Sequence, residues 1–149
     1  MATLLPPMKV FPSNGGYLSQ YVAGHCQTQD GTATKVHIKL NLPKTSLYSA
    51  MVMIEAVGFA YGSAQAIRSS WCFYQYLSTL YSVNVNNVYP GMNAEAVYYS
   101  TDNFVCLRGG LSGYFSGFVL NAYVNAGDGA GIPISVQAQA WNTNAGNFY

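Results

Sequence analysis

Side chains that could act as catalytic acids or bases are few in this chain and widely separated. The carboxylates fall at Asp30, Glu55, Glu95, Asp102 and Asp128. Glycoside hydrolysis needs two carboxyl groups that face each other, and this scatter contains no recognisable pair. Glu55 stands inside an apolar run. Because a buried charge normally needs a partner, we expect Glu55 to pair with Arg68 or Arg108.

The histidines and cysteines do not indicate an active site either. His25 and Cys26 are adjacent in sequence, and neighbours on a strand point to opposite faces, so they cannot form a nucleophile–base pair. His37 shares a strand face with Lys35 and Lys39, which predicts a surface or interface role. Cys26, Cys72 and Cys106 lack metal-ligand spacing and are typical of buried thiols in a reducing cytoplasm, with one disulfide and one free thiol as the alternative. We therefore expect no enzymatic activity, no metal and no cofactor.

The composition limits the partners that the chain can have. Only 7% of the residues are charged while 15% are aromatic, against about a quarter charged in typical soluble domains. A net charge of +1 gives no field to attract nucleic acid. The most apolar segment, Ala50 to Ala60, is interrupted by Glu55 and is shorter than the roughly 20 residues of a membrane span. We expect no nucleic-acid partner and no membrane insertion, and a surface partly hidden against copies of the chain.

Hydrophobic periodicity predicts strands along most of the chain. Lys35 to Leu42 alternates polar and apolar residues, which places Val36, Ile38, Leu40 and Leu42 on a core face. Met51 to Tyr61 is apolar on both faces apart from Glu55, which predicts a strand buried on two sides. Further strands are predicted at 16–22, 69–77, 81–88, 94–99, 104–107, 113–124 and 134–141, with turn composition at 84–87, 90–93 and 101–103.

About eight or nine strands at this spacing indicate an all-β fold. We predict an antiparallel, jelly-roll-like β-sandwich in which residues 16–149 form a single domain. Residues 1–15, rich in proline and polar residues, are predicted to form an extended leader that docks on a neighbouring subunit or another protein. An outer face poor in charge is an interaction surface, which a homotrimer would bury.

Two segments rich in amide and aromatic side chains suggest a carbohydrate site. Sugar rings stack on tyrosine, and sugar hydroxyls pair with Asn and Asp. The candidate ligand-binding residues are Asn86, Asn87, Tyr89, Tyr98, Tyr99, Asp102 and Asn103. The alternative is that these are ordinary turn residues and core tyrosines.

Three stretches, His37–Pro43, Val52–Gly62 and Tyr114–Phe118, resemble the C-terminal head regions of bacteriophage tail-fibre and other virion fibre proteins. The resemblance spans Lys35 to Trp141. It implies a trimeric, β-rich tip on a virion, with exposed loops that contact a host surface. The chain lacks the long shaft of the usual fibre, so residues 1–15 would have to attach it to another virion protein.

These observations lead to one functional hypothesis and two alternatives. We expect a non-enzymatic virion surface protein, made in the host cytoplasm, that acts as a trimeric fibre head. Its partners would be itself, other virion proteins through residues 1–15, and a host surface glycan. The first alternative is a capsid decoration protein that stabilises the particle. The second is a cellular lectin or pore-forming protein.

Overall fold

The computed structural model describes residues 9–13, 16–28, 30–44, 50–61, 64–113, 115–126 and 133–149. Over these residues the chain forms ten strands and no helix. They are β1 (Lys9–Ser13), β2 (Gly16–Gln27), β3 (Lys35–Pro43), β4 (Ala50–Ala60), β5 (Gln65–Tyr76), β6 (Thr79–Pro90), β7 (Met92–Tyr99), β8 (Phe104–Leu111), β9 (Ser116–Ala126) and β10 (Val136–Asn142). A membrane-spanning helix is therefore not found in the part of the chain that the structure describes.

The strands build two antiparallel sheets that pack face to face. The six-stranded sheet has the order β1-β2-β9-β4-β5-β6, and the four-stranded sheet has the order β10-β3-β8-β7. The prediction of an all-β, antiparallel sandwich is confirmed. Residues 1–8, 14 and 15 of the predicted leader lie outside the described residues, and Lys9–Ser13 pairs with β2 of the same chain.

One core lies between the two sheets, and the strand periodicity explains it. Val36, Ile38 and Leu40 of β3 are fully buried, as their alternation with polar residues predicts. They face the other sheet, where Ile54 and Trp71 are also fully buried within the same core. The Trp71 indole donates a hydrogen bond of 2.9 Å to the backbone carbonyl of Arg108 on β8, which ties the sheets together through a polar contact.

The predicted turn at 84–87 is wrong, because these residues lie inside β6. Asn84 pairs with Cys72 and Asn86 with Ser70 across the β5–β6 ladder. β6 is the last strand of its sheet, and two register shifts interrupt its pairing with β5. An edge strand with bulges leaves its side chains in water, so it can carry asparagine at a small cost.

The prediction that β4 is buried on both faces is wrong for the single chain. Val52, Ile54 and Ala56 are buried, whereas Met51, Val57 and Phe59 on the other face are 54%, 40% and 62% exposed. No element of the described chain covers that second face. The sequence pattern correctly shows an apolar strand, but the sandwich supplies only one layer to pack on it.

The outer face of the four-stranded sheet is covered by the end of the chain, residues 143–149. His37, on β3, is 0% exposed there. The Asn144 carbonyl lies 2.8 Å from His37 Nε2, and the Phe148 ring packs on the imidazole at 5.5 Å between centroids. Of the predicted surface or interface role for His37, the surface alternative is therefore wrong, because a segment about a hundred residues away in sequence folds over it.

Candidate interaction surface on the six-stranded sheet

The strand register aligns the outward side chains of β2, β9, β4, β5 and β6 into cross-strand rows, which together we call the open face. In that strand order the rows are Leu18, Asn125, Met51, Tyr74 and Tyr81; Gln20, Tyr123, Met53, Cys72 and Asn84; Val22, Asn121, Glu55, Ser70 and Asn86; His25, Val119, Val57, Arg68 and Tyr89; and Gln27, Gly117, Phe59 and Ala66.

The open face exposes large apolar and aromatic side chains among its polar ones. Leu18, Met51, Val57, Phe59 and Val119 are between 40% and 62% exposed. Tyr81 and Tyr89 on β6 are 47% and 46% exposed. Of the described large hydrophobic residues that are exposed, Phe148 is the one that lies away from the six-stranded sheet and its connections. The two outer faces of the sandwich therefore differ sharply in character.

A single ion pair lies within these rows. Arg68 Nε is 3.5 Å from Glu55 Oε2, and the side chains are 54% and 19% exposed. The predicted pairing of Glu55 with Arg68 or Arg108 is confirmed, with Arg68 as the partner. Because the two charges cancel and stand next to each other, the open face has no net field that would select a charged partner.

The four-stranded sheet carries most of the described charges instead. Glu95 bridges Lys35, at 2.8 Å and 2.5 Å from its two carboxylate oxygens, and Arg108, at 3.2 Å. Lys39 binds the Asp102 carboxylate. Three of the four described ion pairs thus lie on one side of the sandwich.

Two shallow grooves indent the open face near its opposite ends. The first, of about 410 Å³, is lined by His25, Val57, Phe59, Tyr61 and Gly117, among others. The second, of about 350 Å³, includes Leu18, Met51, Met53, Tyr74 and Tyr123. Glycine creates the first groove, since Gly117 contributes no side chain to its row. Shallow, apolar depressions of this kind receive side chains from a partner surface.

The extent of the open face matches a protein interface. Five strands, each occupying about 4.8 Å, cover a width of roughly 24 Å, and nine residues of strand at about 3.3 Å each span roughly 30 Å. The resulting area is on the order of 700 Å², close to the roughly 800 Å² that each partner buries in a standard interface.

Burial governs the reactivity of the cysteine thiols. The three cysteines are free thiols, and burial raises the pKa of Cys26 to about 12 and that of Cys106 to about 11. Thiols with such pKa values are poor nucleophiles at neutral pH. Groups of three or more His, Cys, Asp or Glu that could hold a metal ion are also absent from the described residues.

The seven predicted ligand-binding residues are divided between the two sheets. Asn86 and Tyr89 belong to the open face. Asn87, the neighbour of Asn86, bonds the backbone of Ala94 through both its amide oxygen, at 2.7 Å, and its nitrogen, at 3.3 Å. Asn87 therefore closes the corner at which the chain crosses from β6 to β7.

The other four lie on β7 and in the turn that follows it. Tyr98 is buried, with its hydroxyl 2.9 Å from His37, and the Tyr99 hydroxyl donates to Gln75 at 2.8 Å. Asp102 accepts hydrogen bonds from Lys39 and Ser100. Both contacts lower the pKa of its carboxyl, and the contact with Lys39 has the larger effect. Asn103 has a positive φ of 68° in the turn. The structure thus does not bring the seven side chains to one surface, and their role in ligand binding stays a prediction.

Sequence reasoning missed the open face because its rows depend on strand order. Its five strands were predicted near their observed positions, at 16–22, 51–61, 69–77, 81–88 and 113–124, but which strands are neighbours could not be read from periodicity. The available signal was the β4 segment, which is apolar on both sides.

Comparison of the chain with protein-family models, with curated proteins and with solved structures finds no match in any of the three. The functional argument therefore rests on the geometry of the chain itself.

Proposed function

We propose that the chain is a non-enzymatic virion surface protein, the head of a trimeric fibre, whose copies assemble through the open face. The observation that carries the proposal is the open face itself. It is of interface size, it exposes large apolar side chains such as Met51 and Phe59, and its one ion pair leaves it without net charge. The resemblance to virion fibre heads supplies the trimer and the virion location.

The energetics favour self-association over exposure to water. Burying apolar surface contributes about 25 cal/mol per Å², but association costs several kcal/mol in lost motion. An area near 700 Å² per partner offsets that cost only if the contact is well packed. The grooves beside Met51 and Phe59 supply the surface relief that such packing needs.

The jelly-roll part of the proposal is supported by the strand pairing. β2 pairs with β9 in one sheet, and β3 pairs with β8 in the other. The connections β2–β3 and β8–β9 both cross between the sheets, as paired strands do when a long hairpin folds over itself in a jelly roll. The β4–β5 hairpin inside the six-stranded sheet is a departure from that arrangement.

A substitution at the centre of the open face tests the assembly. Val119 lies on β9, with β2 and β4 on either side, and it is 41% exposed. Val119→Lys would place a charge in the contact between copies while remaining tolerable in a single chain. The matched control is Gln137→Lys, on the exposed surface of β10. We expect V119K to sediment as a monomer and Q137K to sediment like the unchanged protein. Equal sedimentation of all three would refute the open face as the contact.

A capsid decoration protein is the second candidate, and the internal contacts of the predicted ligand residues favour it. Asn87, Tyr98 and Tyr99 bond groups within the chain, which leaves fewer side chains for a glycan. Particles that lack a fibre head should fail to adsorb to their host. Particles that lack a decoration protein should adsorb normally but lose integrity on heating. Normal adsorption together with normal heat stability would exclude both candidates.

A further inference from the structure

Residues 143–149 are held on the four-stranded sheet by few polar contacts, and His37 is central among them. Arg108 donates to the Gly146 carbonyl at 3.2 Å, and the Tyr149 amide reaches the Tyr98 hydroxyl at 3.5 Å. His37 contacts the Asn144 carbonyl at 2.8 Å. Since the imidazole is fully buried beneath the segment, it meets water only when the segment lifts.

The contacts of His37 define its protonation state. A carbonyl can only accept, so the Nε2 that faces Asn144 must carry a hydrogen. Nδ1 lies 2.9 Å from the Tyr98 hydroxyl, which can donate to it. The neutral ring is therefore satisfied at both nitrogens. A second proton on Nδ1 would require the Tyr98 hydroxyl to turn and accept a hydrogen bond, and it would place a charge in a site closed to water, where an unpaired charge is costly.

The charged neighbours do not offer a spare carboxylate to a histidinium. The titratable and charged groups around the ring are Lys35 and Lys39 on β3, Glu95 and Tyr98 on β7, Cys106 and Arg108 on β8, Asp102 in the β7–β8 turn, and Tyr149. Glu95 already forms ion pairs with Lys35 and Arg108, and Asp102 forms one with Lys39. Burial is the main cause that lowers the pKa of His37. The positive charges of Arg108 and Lys35 act in the same direction, whereas the hydrogen bond to the Asn144 carbonyl and the charge of Glu95 act in the opposite direction.

We propose that residues 143–149 form an acid-released latch: neutral His37 holds the segment on the four-stranded sheet, and protonation of His37 releases it. With the latch open, the ring is hydrated and can carry its charge. His37 contributes its full preference for the closed form when the pH is above the ordinary histidine pKa of about 6.5. That preference is lost as the pH falls from there toward the lowered pKa that His37 has in the closed form. For each unit by which the pKa of His37 is lowered in the closed form, the ratio of open to closed protein at low pH rises tenfold. Release uncovers His37 and Tyr98 and thereby changes the polar face of the sandwich.

Hydrogen exchange of the full-length protein tests the latch. The amides of 144–149, corrected for intrinsic exchange rates, should lose protection between pH 7.5 and pH 5. The amides of Val105 and Leu107, in the buried part of β8, should stay protected, which separates release from unfolding. His25→Gln is the matched control, since His25 is the other histidine of the chain and is exposed. It should keep the pH response, and His37→Gln should abolish it.

Equal protection at both pH values, or a pH response that survives in H37Q, would overturn the proposal. If H37Q does not fold, the ring of His37 can be titrated by NMR in the unchanged protein. Titration below about 6.5, with the 144–149 amides changing over the same range, supports the latch. Titration at or above that value contradicts it.

Discussion

Replacement of Trp71 by phenylalanine should weaken the contact that joins the two sheets. Trp71 is 0% exposed, and its indole N–H donates to the Arg108 carbonyl at 2.9 Å. Phenylalanine keeps an aromatic ring in the core but removes that donor and the outer part of the indole. The variant therefore measures how strongly the six-stranded sheet is fixed to β8.

The cost can be worked out from these two losses. A net hydrogen bond contributes about 1 kcal/mol. If roughly 40 Å³ of the lost ring volume stays empty, the cavity costs about 1 kcal/mol at about 24 cal/mol per Å³. The lost transfer free energy of the removed carbons adds up to about 1 kcal/mol. We expect W71F to lower the free energy of unfolding by about 2–3 kcal/mol.

Urea unfolding followed by tryptophan fluorescence and circular dichroism measures this change in the free energy of unfolding. All proteins are compared at one concentration, because association shifts apparent stability. Trp141→Phe is the matched control, since Trp141 is the second tryptophan. Its indole donates at 3.0 Å to the exposed side chain of Gln139, which water can replace. W141F should therefore cost less. A W71F cost below about 0.5 kcal/mol, or equal costs in the two variants, would refute this account of the core.

Three further predictions concern the sheets and the turn. Gly58→Ala would place a Cβ 2.0 Å from the Gly117 carbonyl oxygen. Because that oxygen belongs to the backbone, β9 must shift, and we expect thermal unfolding to show that the free energy of unfolding falls by about 3 kcal/mol or more. A variant as stable as the unchanged protein would contradict the β4–β9 register. Cys72 is half-buried on the open face, so a maleimide should label it in dilute protein and label it less as the protein concentration rises. Labelling that does not depend on protein concentration would argue against association through the open face. Lys39 lowers the pKa of Asp102 below 3.8. The stability that this carboxylate contributes is therefore present above that pH and is lost as the pH falls below it. Asp102→Asn should flatten the dependence of Tm on pH below about 4, and an unchanged profile would show that the contact is not stabilising.

Strand positions could be predicted where one face of a strand is buried. In β3, the alternation that ends at Leu42 directly records a core side and an outer side, and the observed burial follows it. In β6 the strand predicted at 81–88 is confirmed, but the turn predicted at 84–87 is wrong, because the asparagines at 84, 86 and 87 lie on an edge strand whose side chains largely face water. Composition typical of turns is also tolerated at such an edge.

Contacts between distant segments could not be predicted from local pattern. The polar face of β3 pointed to a surface position for His37, and nothing near it in sequence indicates that residues 143–149 would cover it. The open face depends in the same way on the order of five strands. The exception is Glu55, whose position in an apolar run required a partner and allowed Arg68 to be named as one of two candidates.

The mass of the unchanged protein under native conditions tests the central claim most directly. Assembly through the open face into a trimer predicts a species of about 48 kDa, three times the 16.1 kDa of the chain, that persists at micromolar concentration. A species of 16.1 kDa across the same concentrations would contradict the claim, since the open face would then be stable in water without a partner copy.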